Sequence, residues 1–417
     1  MRIAIVGTGI SGMTAAWLLH SQHDITVFEA NDYVGGHTHT VPVTLGERSY
    51  AVDTGFIVYN DWTYPNFIRL METLGVASRP TEMSFSVTCE QSGIEYAGTS
   101  LSTLFAQRRN LLNPTHWRML YDIARFFREA KSGLASESLQ GSLGELLAIG
   151  GYGAAFRDRY LAPMLAAIWS ADPEDVLDFP AHTFLAFFNN HGLLNYYHRP
   201  QWRVIQGGSS AYIEKITAPY ADRIRISCPV TAIRRDEDGV TLYSNSHEEE
   251  RFDQVVLALH SDQALALLQD PSDAEREILG AIPYQRNDVV LHTDDSLLPR
   301  SRRAWASWNY RIPDDEAQQR ATLTYNMNLL QGIEAPETFC VTLNQRERIR
   351  PESILGAFVY DHPCYSEAAV KAQQRHGEIS GIQHGIHYCG AYWGYGFHED
   401  GVNSALRVGK AFGREWG

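Results

Sequence analysis

The sequence predicts an α/β fold of two domains, and three observations carry that expectation. A β-rich run, RIAIV at 2–6, leads into GTGISG at 7–12; a helical apolar spacing follows in MTAAWLLHS (13–21), and DITVFE (24–29) reads as a second strand. Near the other end HYCG reads as a short strand, a glycine-aromatic loop follows, and from Gly401 the run VNSALRVGKAFG can open a helix. At 417 residues, 44% hydrophobic and 20% charged, the chain is long enough for two intertwined domains and can bury a large core.

The first unit has the spacing of a dinucleotide site. Gly7 allows the tight turn, Gly9 lets backbone approach a pyrophosphate, and Gly12 lets helix and strand pack closely. The helix N-terminus offers free N–H groups and a positive dipole end, with Ile10 and Ser11 of the turn leading into it as further cofactor-binding candidates. Glu29, with Ala30 behind it, ends the second strand 20 residues after Gly9, where a carboxylate can accept hydrogen bonds from ribose hydroxyls. ADRIRISCPVTAIRRDEDGVTLYS (221–244) reads as two strands joined by a DEDG turn. FDQVVLALH (252–260) reads as a buried parallel strand.

Composition narrows the function classes. A net charge of −14 excludes nucleic acid as a general partner, because phosphate binding needs a basic face. The five cysteines (Cys89, Cys228, Cys340, Cys364, Cys389) form no CxxC pair, so neither a metal site nor a disulfide framework is expected. No run approaches 18 apolar residues, and the N-terminus reads as a strand entering a turn, not a signal peptide. A cytoplasmic location is therefore expected. One segment stands apart: residues 101–131 carry six basic and two acidic side chains, with Trp117, Leu120, Tyr121, Ala124 and Phe127 on roughly one helical face. That pattern suits a helix lying in an anionic lipid interface, and also a substrate-domain helix with a solvated basic face.

A second glycine turn follows closely on the first: VFEANDYVGGHTHT, residues 27–40. The Glu29, Gly35-Gly36 pattern resembles the flavoprotein superfamily of amine oxidases, phytoene desaturases and protoporphyrinogen oxidases. The resemblance implies FAD as cofactor, with Gly35, Gly36, His37 and Thr38 wrapping over its pyrophosphate; the family usually has Arg where His37 stands. It continues in YAVDTGFIVYN (50–60), where Asp53, Thr54, Gly55 and Phe56 match a segment passing the flavin, and in WRVIQGGSSAYIEKI (202–216), with Gly207 and Gly208. Val230 falls where the family packs a small residue against adenine. Gly390, Gly401, Val402 and Asn403 match the strand-loop-helix that closes the FAD site. The implied architecture is a Rossmann-like FAD-binding domain of the GR2-type flavoprotein class (1–60, 201–280 and 376–417) with an inserted α+β substrate domain (61–200 and 281–375).

The same resemblance frames the activity. Aromatics interleaved with glycine in AYWGYGF (391–397) can wall the flavin and suit a bulky hydrophobic or lipid substrate. Amine oxidases of the superfamily place a lysine near the flavin on a strand matching PYQRNDVVLHTDDSLLP (283–299), which holds none; Asn287 or Asp288 stands there. The blocks LHTDDSLLP, WASWNY and FFNNHGLL look most like a bacterial branch associated with cyclopropane-fatty-acid-synthase-like methyltransferases, which implies lipid acyl chains. The expected reaction is desaturase-like hydride transfer from such a chain to FAD. Amine oxidation and a non-redox mutase or isomerase reaction are the alternatives. Catalytic candidates are His398, His292 and Tyr395, with Glu399 and Asp400 as further candidate bases. No residue pattern assigns the electron acceptor.

Overall fold

The computed structural model describes residues 1–417 except 137–140, 171, 174, 238, 246, 315–319, 382–384, 415 and 417. Its central element is a five-stranded parallel sheet in the order Ile224–Arg225, Asp24–Phe28, Arg2–Val6, Gln254–Leu257, Ile386–Tyr388. Ile3, Ala4, Ile5 and Val6 are buried, as a strand covered on both faces requires. Strand order reverses on either side of Arg2–Val6, so the crevice at the carboxyl ends of Arg2–Val6 and Gln254–Leu257 is the ligand-binding position of such a sheet.

Both flanking helices start earlier than their sequences suggest. The first runs Ile10–Leu19 and the last His398–Ala411, three residues ahead of Gly401. The Asp400 carboxylate accepts hydrogen bonds from the Tyr395 and Phe397 N–H groups (both 3.0 Å), which holds the chain at this helix start. Gly401 thus lies inside the helix, at a cost of about 1 kcal/mol relative to alanine. A Cβ there would stand 2.7 Å from Ile10 Cγ2 and 2.9 Å from Ser11 Oγ. Glycine is what lets the two helices touch.

A second, seven-stranded sheet draws on both expected inserts. Phe85–Cys89 and Ile94–Ala97 come from the first; Tyr284–His292, Trp308–Ile312, Leu323–Asn326, Cys340–Leu343 and Ile354–Pro363 come from the second. Parallel pairing of Phe85–Cys89 with Trp308–Ile312 joins them. Helices Pro114–Ala135, Ala162–Trp169 and Ala181–Asn190 contribute to a core of Phe126, Phe127, Leu165, Phe184 and Phe188 that reaches Val87, Tyr310 and Leu323 of the sheet. A small sheet of Tyr59–Asn60, Ser78–Pro80 and Trp202–Ile205 straddles the boundaries expected near residues 60 and 200.

The basic segment is helical but its faces differ from the expected ones. Phe127 is buried in the core and Leu120 is half-buried, whereas Trp117, Tyr121 and Ala124 are exposed. His116, Met119, Phe126, Phe127 and Ala130 form the inner stripe, and they take Phe127 with them. No described helix is long and apolar enough to cross a membrane.

Candidate FAD site

The two glycine turns abut. Gly36 has φ +58°, and a Cβ on it would stand 3.1 Å from Gly9 Cα. Gly7 (φ +101°) lies so close to the end of Gln254–Leu257 that a Cβ would come within 2.4 Å of the Ala258 carbonyl. Thr8 links the turns: its N–H (3.0 Å) and hydroxyl both donate to Glu29 Oε2, and its Oγ1 accepts from Gly35 N–H at 3.2 Å. Glu29 Oε1 accepts from Asn31 N–H (2.9 Å) and Asn31 Nδ2 (3.0 Å). A carboxylate offers about four acceptor positions, so a ribose binding there would displace the Thr8 hydroxyl or the Asn31 amide. Ala30 is exposed beside it. Segment 227–228 is tied to this corner by Cys228 N–H on the Glu29 carbonyl (2.8 Å), and Val230 follows, half-buried.

The C-terminal elements arrive at the same edge. A Cβ on Gly390 would stand 3.4 Å from the Leu259 carbonyl, and Gly390 N–H donates to Ser404 Oγ (2.9 Å). Val402 packs with Ile10 and Met13 in one apolar cluster. His398 stacks on Phe56 at 3.5 Å between centroids, and its Nε2 lies 3.0 Å from Thr38 Oγ1 and 3.4 Å from the Tyr212 hydroxyl. Burial, with His37 nearby, holds the His398 pKa well below that of a free imidazole, so it is neutral. Gly55 is required where it stands: a Cβ would meet the His37 carbonyl at 2.1 Å. Thr54 Oγ1 lies 2.9 Å from the Tyr360 hydroxyl.

Sequence spacing gave no signal for a half-buried group of imidazoles around His37. Its ring centroid lies 5.7 Å from those of His260 and His362 and 5.1 Å from Tyr360. His260 ends the stretch FDQVVLALH, so its position at the carboxyl edge of the sheet was the only hint available. Burial lowers the pKa of His37 and of His260 to about 4, and each ring opposes charging of its neighbour. His37 Nε2 and His260 Nδ1 are buried without a hydrogen-bond partner.

Other candidates lie elsewhere. His292 is at the far end of Tyr284–His292 from Tyr284, whose ring stacks on His260; eight residues of strand span on the order of 26 Å. Its Nε2 bonds Thr342 Oγ1 (2.7 Å) and its Nδ1 accepts from Asp294 N–H (3.0 Å), so both nitrogens serve the sheet and the base expected there is a structural residue. Asn403 is exposed and its Oδ1 accepts from Asn66 Nδ2 (2.7 Å). Glu399 receives the Asn66 and Phe67 N–H groups (3.1 and 2.8 Å), the first turn of helix Pro65–Thr73, rather than capping its own helix. Asp288 is exposed, and Asn287 is buried and bonded to His362 (3.1 Å).

Beside the C-terminal loop lies a cavity of about 290 Å³ lined by Trp169, Phe179, Phe184, Tyr365, Gln373 and Tyr395, among others. Among the described residues, none that lines it is charged. The Tyr365 hydroxyl is buried with no hydrogen-bond partner, and Trp169 Nε1 donates to the Tyr395 carbonyl (3.3 Å).

A parallel sheet with abutting glycine turns at its strand-order reversal defines a dinucleotide-binding α/β protein. The residues fit FAD: Gly9 faces open space, with nothing within 4 Å of a Cβ, and polar ring nitrogens wait unpartnered at the same edge. The pattern of the flavin containing amine oxidoreductases matches residues 10–297, and the chain belongs to that family, whose cofactor is FAD. Human amine oxidase [flavin-containing] B is 25% identical over 306 residues, covering 69% of this chain and 54% of that protein. The chain spans between about half and two thirds of the first curated relatives it matches. In fold it is similar to cyclohexylamine oxidase from Brevibacterium oxydans (TM-score 0.69, 18% identity, 99% of both chains). It is also similar to a CLA-producing fatty acid isomerase from P. acnes (TM-score 0.68, 17% identity, 99% of this chain and 98% of that one).

Proposed function

We propose that the protein is an FAD-dependent oxidoreductase acting on a bulky apolar substrate, with a lipid acyl chain as the specific reading. The observation that carries this is the cavity walled by Trp169, Phe179, Phe184, Tyr365 and Tyr395, with no charged lining residue among those described. The nearby Asp400 carboxylate is already held by the Tyr395 and Phe397 N–H groups, so a protonated amine there would have to compete for its counter-charge, and an unpaired buried charge costs several kcal/mol. All four lysines (Lys131, Lys215, Lys371, Lys410) are exposed, so none supplies the lysine that amine oxidases of this superfamily use. The Tyr365 hydroxyl provides one polar anchor for a neutral ester end.

Bound FAD supplies a hydride acceptor. Gly7, Gly9, Gly12, Gly35 and Gly36 form the cradle for its diphosphate, and the N–H groups opening His398–Ala411 favour negative charge at that helix end. The aromatic walls exclude water. For oxidation of a C–C bond a proton must also leave; neutral His398 is the proposed acceptor, with Thr38 and Tyr212 hydroxyls beside its Nε2 to carry the proton away. Tyr395 serves as a wall, since burial raises its pKa and its backbone is engaged by Trp169 and Asp400.

Amine oxidation is the second reading, favoured by the amine oxidase relatives. Anaerobic mixing of the flavin-loaded protein with long-chain acyl lipids and with primary amines separates them. Bleaching of the flavin by acyl lipids alone is expected; bleaching by amines alone would overturn the proposal. Conversion of an acyl lipid to an isomer, without bleaching, would identify the non-redox reaction instead.

A further inference from the structure

The segment that opens the helical layer carries an exposed apolar tip, with cations beside it and along the exposed stripe of the following helix. Leu112 is 89% exposed, Leu101 76%, Tyr121 58%, Trp117 49% and Leu111 46%. These residues are contiguous: Trp117 Nε1 donates to the Leu111 carbonyl (2.9 Å), Trp117 packs on Phe105 (5.0 Å), and Tyr121 lies one turn beyond Trp117. The same helical stripe continues through Ala124, Arg128 and Lys131, all exposed.

The charges around this tip are uneven. Asp122 is buried and paired with Arg118 and Arg125, and Glu129 pairs with Arg125 and accepts from the Tyr152 hydroxyl. Arg108, Arg109, Arg128 and Lys131 have no carboxylate partner among the described residues. A positive, apolar tip on a chain of net charge −14 complements a surface that is negative at its face and apolar beneath.

We infer that Leu101–Lys131 is a docking surface for an anionic lipid bilayer. Leu111 and Leu112 enter the acyl boundary, Trp117 and Tyr121 sit at headgroup depth, and the four cations without a carboxylate partner, three of them steadied by the Phe105 and Gly93 carbonyls and Asn195 Oδ1, meet lipid phosphates. The inner face of the same helix shares a core with Trp169, Phe179 and Phe184, which line the apolar cavity. Docking therefore sets that cavity's subdomain against a source of apolar molecules. The surface stands independently of the substrate reading and is tested without turnover.

The test is co-sedimentation of the full, flavin-loaded protein with vesicles of equal phosphatidylglycerol and phosphatidylcholine, and with pure phosphatidylcholine. Expected is at least tenfold tighter binding to the anionic vesicles, weakened by added salt. Leu112→Glu and Arg128→Glu should each reduce it about tenfold while leaving flavin content unchanged; both sites are exposed, so folding is not at stake. Equal binding to both vesicle types, or unaltered binding by both variants, would overturn the proposal. So would concentration-dependent dimerisation abolished by Leu112→Glu in the absence of lipid, which would make a second copy the occupant.

Discussion

Asp53 and Ser209, 156 residues apart, are joined by two hydrogen bonds onto one oxygen: Ser209 N–H at 2.8 Å and its hydroxyl at 2.9 Å, both to Asp53 Oδ1. Thr40 Oγ1 donates to the same oxygen (2.6 Å) and Gln331 Nε2 to the other (2.7 Å). Three other segments thus converge on one fully buried carboxylate. Gly208, beside it, has no room for a side chain, since a Cβ would meet Thr40 Cγ2 at 2.4 Å.

Burial raises the Asp53 pKa from 3.8 to about 6, against the lowering effect of its hydrogen-bond donors. The folded state therefore binds more protons than the unfolded state between those values. Asp53's contribution is complete below pH 3.8 and is lost as pH rises through about 6. The expected loss is on the order of 3 kcal/mol across that window. Asp53→Asn should remove this slope, while its mismatched amide lowers stability by roughly 1–3 kcal/mol at every pH. Denaturant titrations of both proteins between pH 4 and 7 check it; parallel curves would contradict it.

The glycine cradle separates folding from cofactor binding. Gly9→Ala places a methyl in open space, so the fold should persist with FAD affinity reduced at least tenfold. Gly12→Ala drives a Cβ to 2.0 Å from the Gly7 carbonyl and should lower both thermal stability and flavin content. Circular dichroism melts with flavin absorbance read both outcomes. Full flavin retention by Gly9→Ala would remove the cradle assignment.

His398→Phe preserves the stack on Phe56 and removes the ring nitrogen beside Thr38 and Tyr212. If His398 takes the substrate proton, flavin reduction should slow about 100-fold with FAD content unchanged. A change under fivefold in stopped-flow reduction would make His398 a wall only. Because burial keeps the imidazole neutral, any titration of the wild-type rate near pH 6.5 should persist in His398→Phe.

The N-terminal unit was legible because its chemistry is local: glycine spacing, one acid and a strand on each side suffice. The C-terminal helix was legible in kind but not in its start, since Asp400 engages Tyr395 and Phe397 through bonds that spacing does not show. Thr8, Tyr212, Tyr360, His260 and His362 were not found. Their roles rest on contacts across long separations, such as the 174 residues between Thr38 and Tyr212. His292 misled because a histidine ending an apolar strand looks the same whether it faces a ligand or bonds a neighbouring threonine. The face of Pro114–Ala135 was misplaced at Phe127, which satisfies the exposed stripe and the buried stripe about equally by periodicity, and packing with Tyr160 and Tyr196 decides.

The central claim is that one FAD is gripped by both ends of the chain. Hydrogen exchange during FAD titration of the apoprotein tests it most directly. Amides of residues 7–12 and of residues 390–403 should gain protection together, at one FAD per chain. Protection confined to either segment, or reached at different FAD concentrations in the two, would contradict it.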